Sequence, residues 1–369
     1  MRHIRLGMIG GGEGALIGNV HRIAARLDDR FSLEAGVFSS DPDRSNAFAS
    51  TLGLRGYGSV DAFINGEIAR DDGVEAVSIV TPNYLHADAA IKCLDAGLHV
   101  ICDKPLSATP AQAARIAQAV KNSAAQFFLT HNYTGYPMVR LARDLVARGE
   151  LGALRLIVVN YVQDWLAKPI ETHGHKQAGW RTNPAQSGAG VIGDIGTHAY
   201  NLACFVTGQH AQKVSAELHT FVKGRAVDDN AFVHLRYQSG LRGSIWVSQV
   251  VIGSKNDLSL KLVGDRATIE WGQENPNELR FSIIDKPTQV IAKGEMGSDV
   301  WGRTPPGHPE GFIEAFANVY SDVADCLDCS QINNNVPTIA DGLVGMSFIQ
   351  ACKDSENSNG DWISPKPIE

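Results

Sequence analysis

What this chain does not contain narrows its function before any motif is read. No uninterrupted apolar run in it approaches the ~20 residues needed to cross a bilayer. There is no basic excess: 33 Lys and Arg face 40 Asp and Glu, for a net charge of −7. That balance argues against nucleic acid or an anionic membrane as the main partner. Cysteine is scarce, and six residues in 369 make no disulfide framework. Cys93, Cys102 and Cys204 sit in apolar surroundings, as small core residues do. Cys326 and Cys329 form a CxxC at the end of a helical pattern, but no second pair of ligands accompanies them, so no metal is expected. Internal repeats, low-complexity segments and Gly/Ser-rich tethers are missing too. Met1-Arg-His-Ile-Arg-Leu-Gly-Met-Ile-Gly10 runs straight into a glycine turn without a secretory apolar core or cleavage site, and a cytoplasmic protein is expected.

What remains is an ordinary globular composition, 44% hydrophobic and 20% charged, on a chain too long for one core. Strand-like runs at Arg5–Ile9, Phe31–Phe38, Glu75–Val80, Leu98–Cys102 and Gln126–Thr130 alternate with helical patterns, among them His86–Ala96 and Thr109–Ser123. That alternation predicts a parallel, doubly wound α/β sheet over residues 1–133. From Tyr136 the pattern changes. Runs at Ala153–Val162, Val214–Phe221, Asn230–Tyr237, Leu241–Gln249, Leu258–Val263 and Ala267–Trp271 predict an open, largely antiparallel sheet in a second domain, 134–369. Its closing helices, Pro309–Leu327 and Thr338–Lys353, are free to pack back on the first domain.

Ligands of doubly wound sheets bind at the carboxyl ends of strands, where Gly10, Ser39, Thr81, Asp103 and His131 fall. Gly10, Gly12 and Gly14 follow the first strand and precede a helix, the context of a dinucleotide fingerprint. Its third glycine is irregular. Either Ala15 replaces it, or a three-residue insertion moves the role to Gly18. After the second strand Ser39 and Ser40, with Arg44, suit the 2′-phosphate of NADP, whereas Asp41 suits the free diol of NAD or simply caps the next helix. The reading leans slightly to NADP.

Lys104 follows a buried strand and precedes Pro105; at a sheet rim its amine can hydrogen-bond a substrate hydroxyl, and a cis peptide there would fix it. Further on, Trp180 and Arg181 lead through a glycine-spaced stretch to Asp194 and His198, an acid and an imidazole four residues apart that share a face if a helix runs through them. Histidine near its ordinary pKa is the natural base for a hydroxyl proton at neutral pH, although a satisfied core histidine is the plain alternative. The loop Asp164–Lys176 carries Trp165, His173 and His175, a mixture suited to a sugar pocket; no third metal ligand accompanies the two histidines. Asn132 and Tyr133, at a strand end, are further substrate-contact candidates.

These pieces in this order resemble the Gfo/Idh/MocA family: the glycine turn, Thr81-Pro-Asn-Tyr-Leu-His86, Asp103-Lys-Pro105, Trp180-Arg181, Gly188-x-Gly190 and Asp194-x-x-x-His198. The resemblance covers nearly the whole chain. It implies a Rossmann domain plus an α/β domain with an open sheet, and NAD(P)-dependent oxidation of sugars or cyclitols. By matching position it implies that Lys104, Asp194 and His198 are catalytic, with His198 as acid/base, and that Thr81, Pro82, Asn83, His86 and Asp103 join the cofactor rim. Asp103 stands where Glu is usual, and Asn201 where many members have Asp. The expected protein is therefore a dehydrogenase of a sugar, sugar derivative or inositol-like cyclitol. One class of relatives instead retains NAD and cleaves glycosides, and a dinucleotide-binding sensor without turnover is a third reading. A homodimer or homotetramer is expected through the exposed face of the second sheet, on which Phe232, Leu235, Ile245, Trp246 and Val247 are expected to lie.

Overall fold

Two sheets, each with its own helices, account for the alternation and for its break near Tyr136. The structure, a computed structural model, describes residues 3–329 and 333–368. The first stretch runs β1 Ile4–Gly10, α1 Leu16–Leu27, β2 Phe31–Val37, α2 Pro42–Thr51, β3 Arg55–Gly56, α3 Val60–Ile68, β4 Ala76–Val80, α4 His86–Asp95, β5 His99–Cys102, α5 Pro110–Asn122 and β6 Phe127–Leu129. The second runs α6 Pro137–Ala147, β7 Leu154–Val162, α7 Lys176–Arg181, α8 Pro184–Ser187 and α9 Thr197–Thr207. It continues with β8 Lys213–His219, β9 Asn230–Arg236, β10 Arg242–Ser248, β11 Asp257–Gly264, β12 Ala267–Gly272, β13 Glu278–Ile283 and β14 Gln289–Ala292. The helices α10 Phe312–Cys329 and α11 Ile339–Asn357 close the chain.

The first sheet is six-stranded and parallel throughout, in the order β3-β2-β1-β4-β5-β6. Its order reverses between β1 and β4, which opens a crevice at their carboxyl ends, the ligand position of such sheets. The chain divides into two compact units, the first reaching Gly135 and taking in Phe312–Leu343, the second made of Tyr136–Gly311 and Val344–Ile368. The expected boundary is at 133/134, with the closing helices free to pack back on the first domain. Packing explains why α10 groups with the first unit: Phe316, Tyr320 and Val323, at helical spacing, are buried in one core with Ile4, Val20, Phe31 and Ile101.

The second sheet has eight strands in the order β14-β13-β12-β11-β7-β10-β9-β8. Only the β7–β10 pair is parallel; the others are antiparallel. Both sheets match the expected fold class. The exposed face differs from expectation in composition. Leu235, Ile245 and Val247 are 0–1% exposed and belong to the core side, because they alternate in period two with the outward residues. Phe232 (45% exposed) and the half-buried Trp246 do face outward, as directly opposed cross-strand neighbours with stacked rings 6.0 Å apart. Leu156 and Val158 on β7, which the sequence reading did not single out, are exposed beside them.

Candidate active site

In the first unit the rim is built by the ends of β1, β2, β4 and β5. Gly18 settles the irregular fingerprint: a Cβ on it would lie 2.3 Å from the Gly11 Cα, so Gly18 is the close-packing glycine and the turn carries the insertion. Ala15 instead stands at the N-cap of α1, where it supplies no side-chain acceptor, and no acid occupies the first turn. The free N–H groups and positive end of a twelve-residue helix are thus left for an anion such as a pyrophosphate. Gly12 lies so close to β2 that a Cβ would sit 2.2 Å from the Phe38 carbonyl oxygen, while Gly14 (φ +73°) opens onto empty space. Gly10 (φ +88°) ends β1, and Arg22 braces the turn by donating to the Gly11 carbonyl at 2.7 Å. This bare cradle fits a dinucleotide.

At the end of β2, Ser39 is half-buried, and Ser40 and Arg44 are exposed. Asp41 is the N-cap of α2, accepting from the N–H groups of Asp43 and Arg44, both at 3.0 Å. Thr81 and Pro82 are half-buried and Asn83 is buried. His86 is fully buried, and its ring nitrogens face the carbonyls of Thr81 (2.9 Å) and Pro105 (3.0 Å). A neutral ring carries one N–H, so it donates to one of these two carbonyls at a time. Burial keeps His86 below its ordinary pKa. Asp103 turns back on its own loop, accepting from the Lys104 N–H (2.9 Å) and the Thr130 hydroxyl (3.0 Å). Lys104 is half-buried and the Lys104–Pro105 peptide is cis. Asn132 and Tyr133 lie in a buried 3₁₀ turn, Asn132–Gly135, with the Tyr133 ring edge-on to Phe312.

In the second unit Asp194 and His198 are brought to one place by a π-turn, Ile192–Gly196, that runs into α9. The four-residue spacing stays within one turn of either helix type, and wide turns of this kind recur at functional sites. Gly190 precedes it because no side chain fits: a Cβ would lie 2.0 Å from the Asp228 carbonyl oxygen. The half-buried Asp228 carboxylate accepts from the N–H groups of Gly190 (2.9 Å) and Ile192 (2.8 Å). Burial raises the Asp228 pKa, and these two donors oppose the rise.

Asp194 accepts from the Gln249 side-chain amide at 2.8 Å, and the Arg181 guanidinium lies 3.4 Å from the same oxygen. Arg181 stacks on Trp180, 4.3 Å from its ring centre, and stands 6.0 Å from that of Trp165. His198 is buried, with its ring 6.3 Å from that of Tyr161. His175 caps α7 by accepting from the Ala178 N–H at 3.2 Å, and lies beside Trp165 at 6.2 Å. Among the described residues no group of three His, Cys, Asp or Glu side chains could hold a metal ion. Sequence reasoning missed Tyr161, Gln163, Gln249 and Asn256, although Gln163 follows one strand-like run and Gln249 ends another, the position singled out in the first sheet.

A parallel sheet with a glycine cradle at its switch point defines a dinucleotide-binding unit. The family models agree. Residues 4–131 match the oxidoreductase family NAD-binding Rossmann fold and residues 139–270 the GFO/IDH/MocA C-terminal domain. The chain belongs to the Gfo/Idh/MocA family. It is 32% identical to the uncharacterised oxidoreductase YfiI of Bacillus subtilis, over 98% of this chain and 97% of that one. An inositol dehydrogenase homologue from Azotobacter vinelandii, solved with NAD+, is similar at 33% identity and a TM-score of 0.93, covering 98% and 97% of the two chains. Levoglucosan dehydrogenase from Pseudarthrobacter phenanthrenivorans is 27% identical over 84% of this chain and 83% of its own.

Behind the first unit's rim lies a buried polar cluster. The His21 Nδ1 meets the hydroxyls of Tyr320 (2.8 Å) and Ser78 (3.1 Å), and its Nε2 is 4.0 Å from the Asp103 carboxylate. Burial pushes the His21 pKa down to about 4, against the pull of Asp103. Its folded-state pKa is therefore below its unfolded value of 6.5, and the unfolded chain binds the proton more readily. The stability this group contributes is present above pH 6.5 and lost as pH falls toward 4, by about 3 kcal/mol in all. Urea unfolding at several pH values should show a steeper acid loss for the wild type than for His21→Asn, whose amide cannot take up the proton. Parallel acid limbs for the two proteins would refute the assignment.

Proposed function

We propose that the protein oxidises a hydroxyl of a sugar, sugar derivative or cyclitol to a ketone, using a nicotinamide dinucleotide held by the glycine cradle. What carries the reading is the Asp194–His198 pair, presented by the π-turn, with Asp194 clamped by Arg181 and Gln249. The bound cofactor supplies a hydride acceptor. His198 takes the hydroxyl proton as the C–H bond gives up its hydride, so the alcohol loses two electrons and two hydrogens. Lys104 hydrogen-bonds the reacting oxygen and stabilises its developing negative charge. Asp194 orients the substrate or the imidazole, and Trp165, Trp180 and Arg181, with Asn132, Tyr133 and His175, bind the rest of the polyol. The Azotobacter homologue, also solved with NADH and myo-inositol, supports this substrate class.

A panel of polyols and glycosides followed by reduced-nicotinamide absorbance tests the reading. Net NAD(P)H formation is expected; glycoside cleavage without it would favour the NAD-retaining hydrolase, and neither would favour a sensor. Lys104→Ala and His198→Ala should each lower turnover by at least ~100-fold while cofactor affinity is kept. Near-normal turnover in either variant removes that residue from the mechanism.

For the cofactor, Ser39, Ser40 and Arg44 offer a 2′-phosphate its donors, while Asp41 spends one oxygen on its own helix. NADP is accordingly expected to bind more tightly than NAD, and Arg44→Ala to remove about tenfold or more of that preference. A clear NAD preference in a fluorescence titration would sink the phosphate pocket alone.

The outward face carrying Leu156, Val158, Phe232 and Trp246 supports association of two or four copies through the second sheet. Light scattering should show an oligomer at micromolar concentration, and Phe232→Glu should shift it toward monomer. A wild-type monomer contradicts the assignment.

A further inference from the structure

The second unit holds a chain of side-chain hydrogen bonds whose direction can be read from its two ends. One end is the Trp165 indole N–H, which can only donate; the other is the Asp194 carboxylate, which when ionised can only accept. Two glutamine amides lie between them. The Trp165 N–H donates to the Gln163 Oε1 at 3.0 Å, so oxygen, and not nitrogen, faces the indole. The same oxygen faces Gln249 at 3.4 Å, so Gln249 must turn its amide nitrogen toward it. That nitrogen also donates to the Asp194 Oδ2 at 2.8 Å. Both of its hydrogens are thus directed at acceptors.

The other side of Gln163 fits the same polarity: its nitrogen donates to the Asn256 Oδ1 at 2.8 Å, which also accepts from the Tyr161 hydroxyl at 2.8 Å. Backbone pairing fixes where both glutamines start. The Gln163 N–H donates to the Ser248 carbonyl at 2.8 Å, and the Gln249 N–H donates to the Asp229 carbonyl at 2.9 Å. Gln249 is 2% exposed, so water does not compete for its amide.

We propose that Gln249 is a positioning residue for Asp194, and that the chain Trp165–Gln163–Gln249–Asp194 ties the orientation of that carboxylate to the substrate loop. The proposal rests on the dehydrogenase reading above for the role of Asp194. Arg181, on α7, is the second clamp and holds the same oxygen by charge. Gln249 contributes direction: it keeps the carboxylate turned toward the strand end and away from a closer pairing with the guanidinium. A substrate that displaces Trp165 would pull the chain, which makes the chain a route by which loop engagement reaches the acid–imidazole pair.

The test uses the full-length enzyme and whichever polyol the wild type turns over. Gln249→Leu should lower kcat about 30-fold, the scale of one lost charge-assisted hydrogen bond, with cofactor dissociation constant and substrate KM changed less than threefold. Gln249→Glu should be worse, because it turns an acceptor toward two acceptors. Trp165→Phe keeps the ring and removes the donor, so it should lower kcat in the wild type but not in the Gln249→Leu background. A kcat within threefold of wild type for Gln249→Leu or Gln249→Glu overturns the proposal, as does an equal Trp165→Phe effect in both backgrounds. Crystal structures of the wild type and Gln249→Leu give a readout independent of turnover: the Asp194 carboxylate should rotate toward Arg181, and an unmoved carboxylate overturns the proposal. Absence of turnover in the wild type with every polyol would count against the dehydrogenase reading, and the crystal structures would still decide on Gln249.

Discussion

Backbone N–H groups away from water must find acceptors, and in the second unit two adjacent carboxylates, Asp228 and Asp229, supply them at a helical turn and at a loop. Asp228 accepts from Gly190 and Ile192 and so fixes the start of the π-turn that carries Asp194 toward His198. Asp229 accepts from the N–H groups of Phe221 and Val222 and from the buried Arg225 guanidinium, at 2.8–3.0 Å. Arg225 in turn grips Glu171 at 2.9 Å, in the middle of the loop Asp164–Lys176 that carries Trp165. The Asp229 carbonyl receives the Gln249 N–H. The dipeptide Asp228–Asp229, just before β9, therefore holds the π-turn, the Asp164–Lys176 loop and the strand end whose glutamine meets Asp194. Buried charges are expensive unless every oxygen is engaged, and engagement on this scale makes the arrangement rigid.

The first unit solves a different problem, how to leave room. Gly12 and Gly18 let backbone meet backbone, and the missing cap on α1 leaves N–H groups for an anion. His86 is buried between the Thr81 and Pro105 carbonyls and donates to one of them, beside the loops that carry Thr81 and Lys104. Its sequence position, assigned to the cofactor rim, did not reveal this burial.

Most of the architecture was legible because periodicity is strong where burial is complete. β1, β4 and β5 are short apolar runs, and α2 and α5 begin at Pro42 and Pro110 behind Asp41 and Thr109 caps. Elements with weak patterns were not legible. β13 is short and polar on alternate residues, β14 is only four residues long, and α3 starts at a Ser59 cap among exposed residues. The outward sheet face was misjudged because apolar residues were counted along β9 and β10 without separating the two faces; register sends Leu235, Ile245 and Val247 inward. At the site, Asp194, His198 and Lys104 stood out by residue type and spacing. Gln163, Gln249 and Asn256 did not, since glutamine and asparagine are common and only the fold brings these three together.

The proposed function rests on transfer of a carbon-bound hydrogen of a polyol as hydride to a nicotinamide. Its most direct test is to incubate the protein with NAD+ or NADP+ and a sugar or cyclitol deuterated at its ring carbons, then locate the label by mass spectrometry. The account predicts deuterium on the reduced nicotinamide ring and a ketone at the carbon that lost it. Binding of the dinucleotide with no label transferred from any such substrate would contradict it.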